Sequence, residues 1–466
     1  MTRTGPHVAA ARPPLDPAQA IRVAVVGLGR VFDLNIRAYE GLDDTEVVAL
    51  VDPDEERLAE RSAAWPGAKP FTSIEALAAS GVTVDAVEAL VPVAAHAGCV
   101  LELVRQGWHV NLQKPMCVEL DEATAMTEAA ARANVALRIT DNYLFFEPLR
   151  RLRELVDDGE LGDVAGYHMK MVASGRGGWD VPWDAFERQF ALARRGRGIL
   201  LFDDGWHKVS TALWLFGPIT EVRAWVGTTE VAPGLPVDAP SMVAFEHESG
   251  VRGVWDVTLA VDLHLPSDYY ACDERFEVTG RRGFARVNRC TARGLQQPSL
   301  EVYRDGELRQ FHALDDDWAS SFRDAGRHWL TWLRTGVGPM WWSPDEAMRV
   351  LASRSRSPRA ASGAASASAR TSSRSRTARY APTARVAPAR TGETWHGPSR
   401  SRTGRRTSTS STRRTWSARS PSGTTFGRPA RSPPAHDAAG RGSRPATRTS
   451  PPSRTTPPRS ARPTWR

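Results

Sequence analysis

The chain has 466 residues, with 61 Lys and Arg against 53 Asp and Glu, a formal net charge of +8 and four cysteines. That length holds two or three domains. No apolar run approaches the ~20 residues of a membrane span, and Cys99, Cys117, Cys272 and Cys290 show neither C-x-x-C nor metal-site spacing, so they fit reduced thiols in a cytoplasmic protein with no metal site. The basic charge belongs to one end: residues 353–466 carry 25 Arg and two acids, while residues 1–352 carry 36 basic and 51 acidic side chains, a balance of −15 that gives nucleic acid no surface and leaves a small molecule as the expected partner.

Residues 1–20 are rich in Ala and Pro, lack an apolar signal core and a twin-arginine pair, and read as a disordered leader with no export signal. Val23 to Val26 is an unbroken apolar run, suited to a strand buried on both faces of a parallel sheet. Gly27-Leu28-Gly29 follows, then Val31, Leu34 and Ala38 at helical spacing, then a second apolar run from Val47 that ends on Asp52. This is a β-α-β unit with a glycine turn. Gly27 allows the sharp turn; Gly29, with no side chain, lets a pyrophosphate approach the backbone at a helix start, and Arg30 and Val31 complete the turn. Asp52 falls 23 residues after Gly29, where an acid accepts from ribose hydroxyls and repels a 2′-phosphate, so NAD is favoured over NADP. Phe32 occupies the place of the third small residue, which governs helix–strand packing and not phosphate contact.

The alternation continues as in a doubly wound fold. The pattern predicts a helix over 55–64, a short strand at Phe71, a helix from Ser73 to Ala79, a strand over 84–91, a helix over 94–106 stopped by Gly107, a strand over 108–112, a helix over 120–133 stopped by Asn134, and a strand over 136–140. The nucleotide domain is therefore placed at 21–142. The second domain, 143–352, reads as α+β, with strand patterns at 164–173, 220–229, 241–248, 252–260, 275–279, 284–288 and 300–303 and a turn at Asp305-Gly306. A helix from about Asp203 to Phe216 places Asp203 and His207 at i, i+4 on one face, where the carboxylate orients the imidazole and raises its pKa; an exposed pair, or Asp203 as an N-cap, is the other reading. Trp179, Trp183, Tyr269 and Tyr270 are aromatics able to stack on a sugar ring, and Tyr143 joins Trp179 and Trp183 as a substrate-contact candidate. Helices follow over 317–334 and from Pro344.

From Ser353 the chain is Ser, Arg, Thr, Pro, Ala and Gly without periodicity, unable to pack a core and expected to be disordered. A natural basic tail is one reading. The preferred reading is out-of-frame translation, because the break falls inside a helix that has just begun.

Val91-Pro92, His96, Gly107-Trp108-His109-Val110 and Gln113-Lys114-Pro115 resemble the signature of the Gfo/Idh/MocA oxidoreductases, relatives of glucose–fructose oxidoreductase and inositol dehydrogenase. Residues 198–207 (GILLFDDGWH) resemble that family's second motif, and the likeness covers about residues 20–352. It implies a Rossmann domain followed by a mostly antiparallel open sheet, a homo-oligomer, cofactor contacts from Pro92, His96, Gln113 and Lys114, and a catalytic set of Lys114, Asp203 and His207, with His207 as acid/base. Gln113 stands where the family has Glu, so a carboxylate that would steady Lys114 is missing, and Arg197 and Ile199 interrupt the glycine run before Asp203. The implied activity is NAD-dependent hydride transfer at a sugar or cyclitol hydroxyl or carbonyl. The alternatives are a lyase or glycosidase that oxidises its substrate transiently, and a non-catalytic NAD- or ligand-sensing regulator.

Overall fold

A computed structural model of the chain describes residues 15–16, 18–179, 188, 190–191, 198–232, 234–290 and 297–355. The apolar runs form β1 (Ile21–Val26), β2 (Thr45–Val51), β3 (Lys69–Phe71), β4 (Ala86–Ala89), β5 (His109–Gln113) and β6 (Leu137–Thr140), all parallel, in the order β3-β2-β1-β4-β5-β6. The order reverses between β1 and β4, which opens a crevice at the carboxyl ends of the strands. Every residue of β4, β5 and β6 is buried, as befits strands covered on both faces by helix layers, including the polar Glu88, Asn111 and Arg138.

The first helix is shorter than its periodicity suggests. It comprises α1 (Phe32–Asn35) and a 3-10 continuation, Ile36–Tyr39; Val31 at its start has no side-chain oxygen to cap it. The other helices on this sheet are α2 (Glu55–Ala64), α3 (Ile74–Ala79), α4 (His96–Arg105) and α5 (Leu120–Ala133). Asp54 caps α2 and Ser73 caps α3, while Asn134 ends α5 in the left-handed region at φ 53°.

The link α6 (Glu147–Asp157) leads to an eight-stranded sheet. Its strands are β7 (Val164–Arg176), β8 (Ile219–Val226), β11 (Ser241–His247), β12 (Arg252–His264), β13 (Cys272–Gly280), β14 (Gly283–Cys290), β15 (Leu300–Arg304) and β16 (Glu307–Phe311); β9 (Thr229–Ala232) and β10 (Leu235–Val237) form a separate hairpin. The order is β16-β15-β14-β13-β7-β12-β11-β8, antiparallel except for β7 beside β12. β16 and the hairpin lie outside the strands expected from sequence; β16 is polar and exposed along most of its length, so it carries no alternation to read. α7 (Gly205–Phe216) is largely buried, and a Cβ on Gly205 would lie 3.1 Å from the Trp255 ring.

The last two helices return to the nucleotide half. α8 (Trp318–Thr335), capped by Asp317, places Trp329, Leu330 and Leu333 in one core cluster with Val25, Phe32, Tyr39 and Leu50. A Cβ on Gly326 would sit 2.3 Å from Ala38 Cβ, so glycine allows the close crossing. α9 (Pro344–Ser355) buries Val350 and Leu351 and runs past the expected boundary at 352; residues 356–466 lie outside the described residues. Leu15, in the stretch expected as leader, donates its N–H to Leu333 O at 2.9 Å. No helix of the described residues is long and apolar enough to cross a membrane.

A polar row crosses the parallel sheet. Glu88, Asn111 and Arg138 occupy paired register positions on β4, β5 and β6, all buried. Asn111 Nδ2 and the Tyr39 hydroxyl donate to Glu88 Oε2 at 2.7 and 2.6 Å, leaving Glu88 Oε1 and Asn111 Oδ1 as buried acceptors with no partner among the described residues. A proton on Glu88 gives Oε1 a hydrogen to donate, and burial, only partly offset by these bonds and by Arg138, raises its pKa to about 7. The folded pKa thus exceeds the unfolded one, and the stability of the protonated state is lost as pH rises from about 4.5 to about 7. Glu88→Gln, which keeps a donor there at all pH, should remove that slope and stabilise the protein above neutrality by on the order of 3 kcal/mol, the scale of a shift of this size; urea unfolding at several pH values measures it.

Gly27 has φ +92°, and a Cβ there would lie 2.8–2.9 Å from the backbone of Leu90 and Val91, whereas a Cβ on Gly29 meets nothing within 4 Å. Gly27→Ala should therefore destabilise the fold by ~1–3 kcal/mol or more, and Gly29→Ala should leave stability within ~0.5 kcal/mol, as read by thermal or urea denaturation.

Candidate active site

The glycine turn closes on the acid at the end of β2. Asp52 is buried; its Oδ2 accepts the Leu28 N–H at 2.7 Å and its Oδ1 the Asp54 N–H at 2.9 Å. Arg57 from α2 reaches Asp52 Oδ1 at 3.3 Å and Asp54 Oδ2 at 3.0 Å. With a longer Arg57 Nη1 contact to Oδ2 at 3.5 Å, the about four acceptor sites of the carboxylate are filled, so a ribose hydroxyl bonding here takes the place of Arg57. Gly29 leaves the turn open, as a phosphate requires, and Val31 sits at the start of α1. The Arg30 guanidinium lies 5.2 Å from the centre of the Trp179 ring, at the end of β7, which joins the turn to the second domain.

At the next strand ends, Pro92 begins the 3-10 turn Val93–Ala95 and His96 is buried between two carbonyls, with Nε2 2.9 Å from Val91 O and Nδ1 3.2 Å from Met116 O. His96 thus ties the loop after β4 to the loop after β5, and burial holds its pKa below the usual value despite those contacts. Gln113 is buried; its Oε1 accepts the Lys114 N–H at 2.9 Å, and its Nε2 has no partner among the described residues. The carboxylate missing at Gln113 is supplied from elsewhere: Lys114 Nζ lies 2.8 Å from Asp203 Oδ1, across the two halves of the chain.

That contact corrects the expected Asp203–His207 pairing. The turn Leu200–Asp204 is π-helical, with α7 beginning only at Gly205. The Asp203 carboxylate is taken by Lys114 from across the crevice. Asp238 steadies this entry by accepting the Leu200 and Leu201 N–H groups at 2.8 and 2.7 Å, and a Cβ on Gly198 would strike its carboxylate. The glycine kept at 198 serves this cap.

His207 instead meets Asp141, the first residue after β6, with Nδ1 2.7 Å from Asp141 Oδ1. Asp141 Oδ1 also accepts the Tyr143 N–H at 3.1 Å, and the Ser210 hydroxyl donates to Oδ2. Burial alone would raise the pKa of Asp141, but the His207 ring and these donors hold it below the usual carboxylate range. His207 shifts down, against the expectation: burial lowers its pKa most, Lys114 adds to that, and Asp141 offsets only part. Tyr143 stacks on the His207 ring with centroids 4.0 Å apart. It is buried, and its hydroxyl is taken by Glu274 (2.8 Å), Arg289 (2.9 Å) and Lys208 (3.3 Å), so it backs His207 and presents no open face. Lys208 and Arg289 pair with Glu274 at 2.9 and 2.6 Å, and Lys208 also with Asp204 at 3.0 Å.

Of the aromatic candidates, Trp179 meets Tyr270 edge-on at 5.2 Å and Tyr269 at 6.0 Å, with no partner for its Nε1 among the described residues. Tyr270 is half exposed, and Tyr269 donates to Asp317 at 2.9 Å. Trp183 lies outside the described residues.

Residues 21–140 match the model of an oxidoreductase family with an NAD-binding Rossmann fold, and residues 149–286 match the GFO/IDH/MocA C-terminal domain, together more than half of the chain. The chain belongs to the Gfo/Idh/MocA oxidoreductase family. Its cofactor is NAD and it is a dehydrogenase by family. It is similar to a D-apiose dehydrogenase of Paraburkholderia graminis, 27% identical over 68% of this chain and 81% of that protein. It is also similar to a myo-inositol 2-dehydrogenase of Thermotoga maritima, 26% identical over 71% of this chain and 93% of that protein. An Agrobacterium radiobacter oxidoreductase solved with NAD+, L-tartaric acid and magnesium shares the fold, with TM-score 0.60 and 20% identity over 73% of this chain and 95% of that one.

Asp141, Ser210, Arg57 and the Lys208–Glu274–Arg289 group are the site residues that sequence reasoning missed in this family member. Asp141 was findable, because it follows β6 at the same sheet edge that singled out Lys114. NAD should bind more tightly than NADP, and Asp52→Ala should narrow the gap by on the order of 1–3 kcal/mol. It also releases Arg57 toward a 2′-phosphate, so Asp52→Ala/Arg57→Ala should regain part of the preference for NAD. Titration of both cofactors checks it; equal affinities in the unmutated protein overturn it.

Proposed function

We propose that the protein oxidises a secondary hydroxyl of a sugar or cyclitol, with His207 as the base, Lys114 as the cation at the reacting oxygen, and Asp203 holding Lys114 in place. The observation that carries this reading is the convergence of the two groups at adjacent strand ends: Lys114 follows β5 and pairs with Asp203, Asp141 follows the neighbouring β6 and pairs with His207 four residues beyond Asp203, and His207 Nε2 makes no hydrogen bond to a described residue. Gly27, Gly29, Arg30, Val31 and Asp52 would hold the pyrophosphate and adenosine ribose, and Pro92, His96 and Gln113 would shape the nicotinamide end. NAD, when bound, supplies the hydride acceptor. The substrate's O–H proton would pass to His207 Nε2 as the carbon–oxygen single bond becomes a carbonyl, the C–H hydride being lost to the acceptor that NAD would supply. Lys114 donates to that oxygen as negative charge develops on it.

A neutral polyol suits the crevice. Asp203 offers a carboxylate that is 42% exposed, and Trp179 and Tyr270 offer aromatic faces. The dehydrogenases of apiose and inositol among the relatives point the same way. The buried free thiols Cys99, Cys117 and Cys272 support a reducing cytoplasmic setting, and the exposed Trp225 and Met242, paired on β8 and β11, support a homo-oligomer. A panel of sugars and cyclitols, followed by NADH absorbance, tests the activity, and no turnover on any member overturns it. On the substrate found, Lys114→Ala and His207→Ala should each lower kcat by ~10²-fold or more, with NAD affinity nearly unchanged for His207→Ala. Normal turnover by either variant removes that residue from the mechanism.

A further inference from the structure

We propose that Asp141, backed by Ser210, is the positioning residue that fixes His207 as the Nδ1–H tautomer and so makes Nε2 the atom that takes and returns the substrate's proton. This rests on the dehydrogenase reading of the same crevice. An ionised carboxylate has no proton to give, so the ring nitrogen 2.7 Å from Asp141 Oδ1 must carry one. The other nitrogen is then a lone-pair acceptor, and it makes no hydrogen bond to a described residue.

Asp141 is itself held on both oxygens, by the Tyr143 N–H at 3.1 Å and the Ser210 hydroxyl, and it is 1% exposed, so it has little freedom to swing away. The ring is fixed from its face by Tyr143. The charged groups around His207 complete the picture. Lys114 follows β5; Asp203, Asp204 and Lys208 share its own helical segment; Glu274 and Arg289 reach Tyr143 from the second sheet. Asp203 is engaged by Lys114 and Asp204 by Lys208, which leaves Asp141 as the carboxylate on the imidazole. Once Nε2 accepts a proton, the imidazolium is balanced by Asp141 at the far side of the ring, away from the reacting carbon.

The test has two arms. In the unmutated full chain, the ¹⁵N shifts of His207, assigned by their loss in His207→Gln, should show a protonated Nδ1 and an unprotonated Nε2 at neutral pH. This arm needs no turnover, so it is decided separately from the dehydrogenase reading. In the second arm, Asp141→Asn should lower kcat by ~10²- to 10⁴-fold, the scale of acid-to-amide exchange in a histidine–carboxylate pair. NAD affinity should stay within about twofold. The acidic limb of the kcat/KM profile should move to lower pH, because the attraction that favours the imidazolium is gone. Ser210→Ala, which keeps the charge, should cost only severalfold and leave the limb near its original place. A purely structural role would lower activity without moving the limb. An Nε2–H tautomer overturns the proposal, and so does a folded Asp141→Asn with unchanged turnover and limb. If Asp141→Asn does not fold, the tautomer measurement alone decides.

Discussion

The hydrogen bond between Asp141 and His207 joins the end of the parallel sheet to the first turn of α7, and the crevice is arranged around it. Both partners are buried, so neither can leave without stranding the other. Two residues on, the Tyr143 hydroxyl enters the Lys208–Glu274–Arg289 group. One short segment after β6 is thereby fixed on both sides, and the Lys114–Asp203 pair adds a more exposed contact between the same two halves. Burying so many charges is costly, and replacing a buried ion pair with apolar residues is often neutral or stabilising. What the arrangement provides here is registry: removing one member leaves its partner charged and dry, a penalty of ~3–5 kcal/mol that disfavours alternative packings of the crevice.

Most of the nucleotide half was legible in the sequence because burial on both faces writes itself as unbroken apolar runs. Helices 55–64 and 120–133 match their expected bounds, since Asp54 caps the first and the left-handed Asn134 ends the second. The first helix was over-read: Val31, Leu34 and Ala38 keep helical spacing, but spacing does not distinguish an α turn from the 3-10 turn that continues it. β16 escaped because an exposed edge strand needs no apolar face.

The site residues were legible as types and edges, but not as pairs. Lys114 was found from its place after a buried strand, and its partner Asp203 was also found, though attached to the wrong residue. The i, i+4 rule compares positions along one helix, and here each side chain is met by a partner from the other half of the chain, Asp203 by Lys114 and His207 by Asp141. Asp141 and His207 lie 66 positions apart, a proximity created by the docking of two domains that no local pattern records. The same holds for Glu274 and Arg289, which read as ordinary charged residues of strands until Lys208 and Tyr143 are placed against them.

The crossing of α8 over the first helix bears on how the chain comes off the ribosome. Trp329, Leu330 and Leu333 complete a core whose other members, Val25, Phe32, Tyr39 and Leu50, are made near the start. At usual elongation rates the roughly 190 residues between β6 and Leu333 take on the order of ten to forty seconds to synthesise. For that interval the nucleotide half has an uncovered apolar flank, and it is a platform awaiting its lid of helix more than a domain that closes by itself. Until the segment from Asp317 onward emerges, that flank is apolar surface open to aggregation.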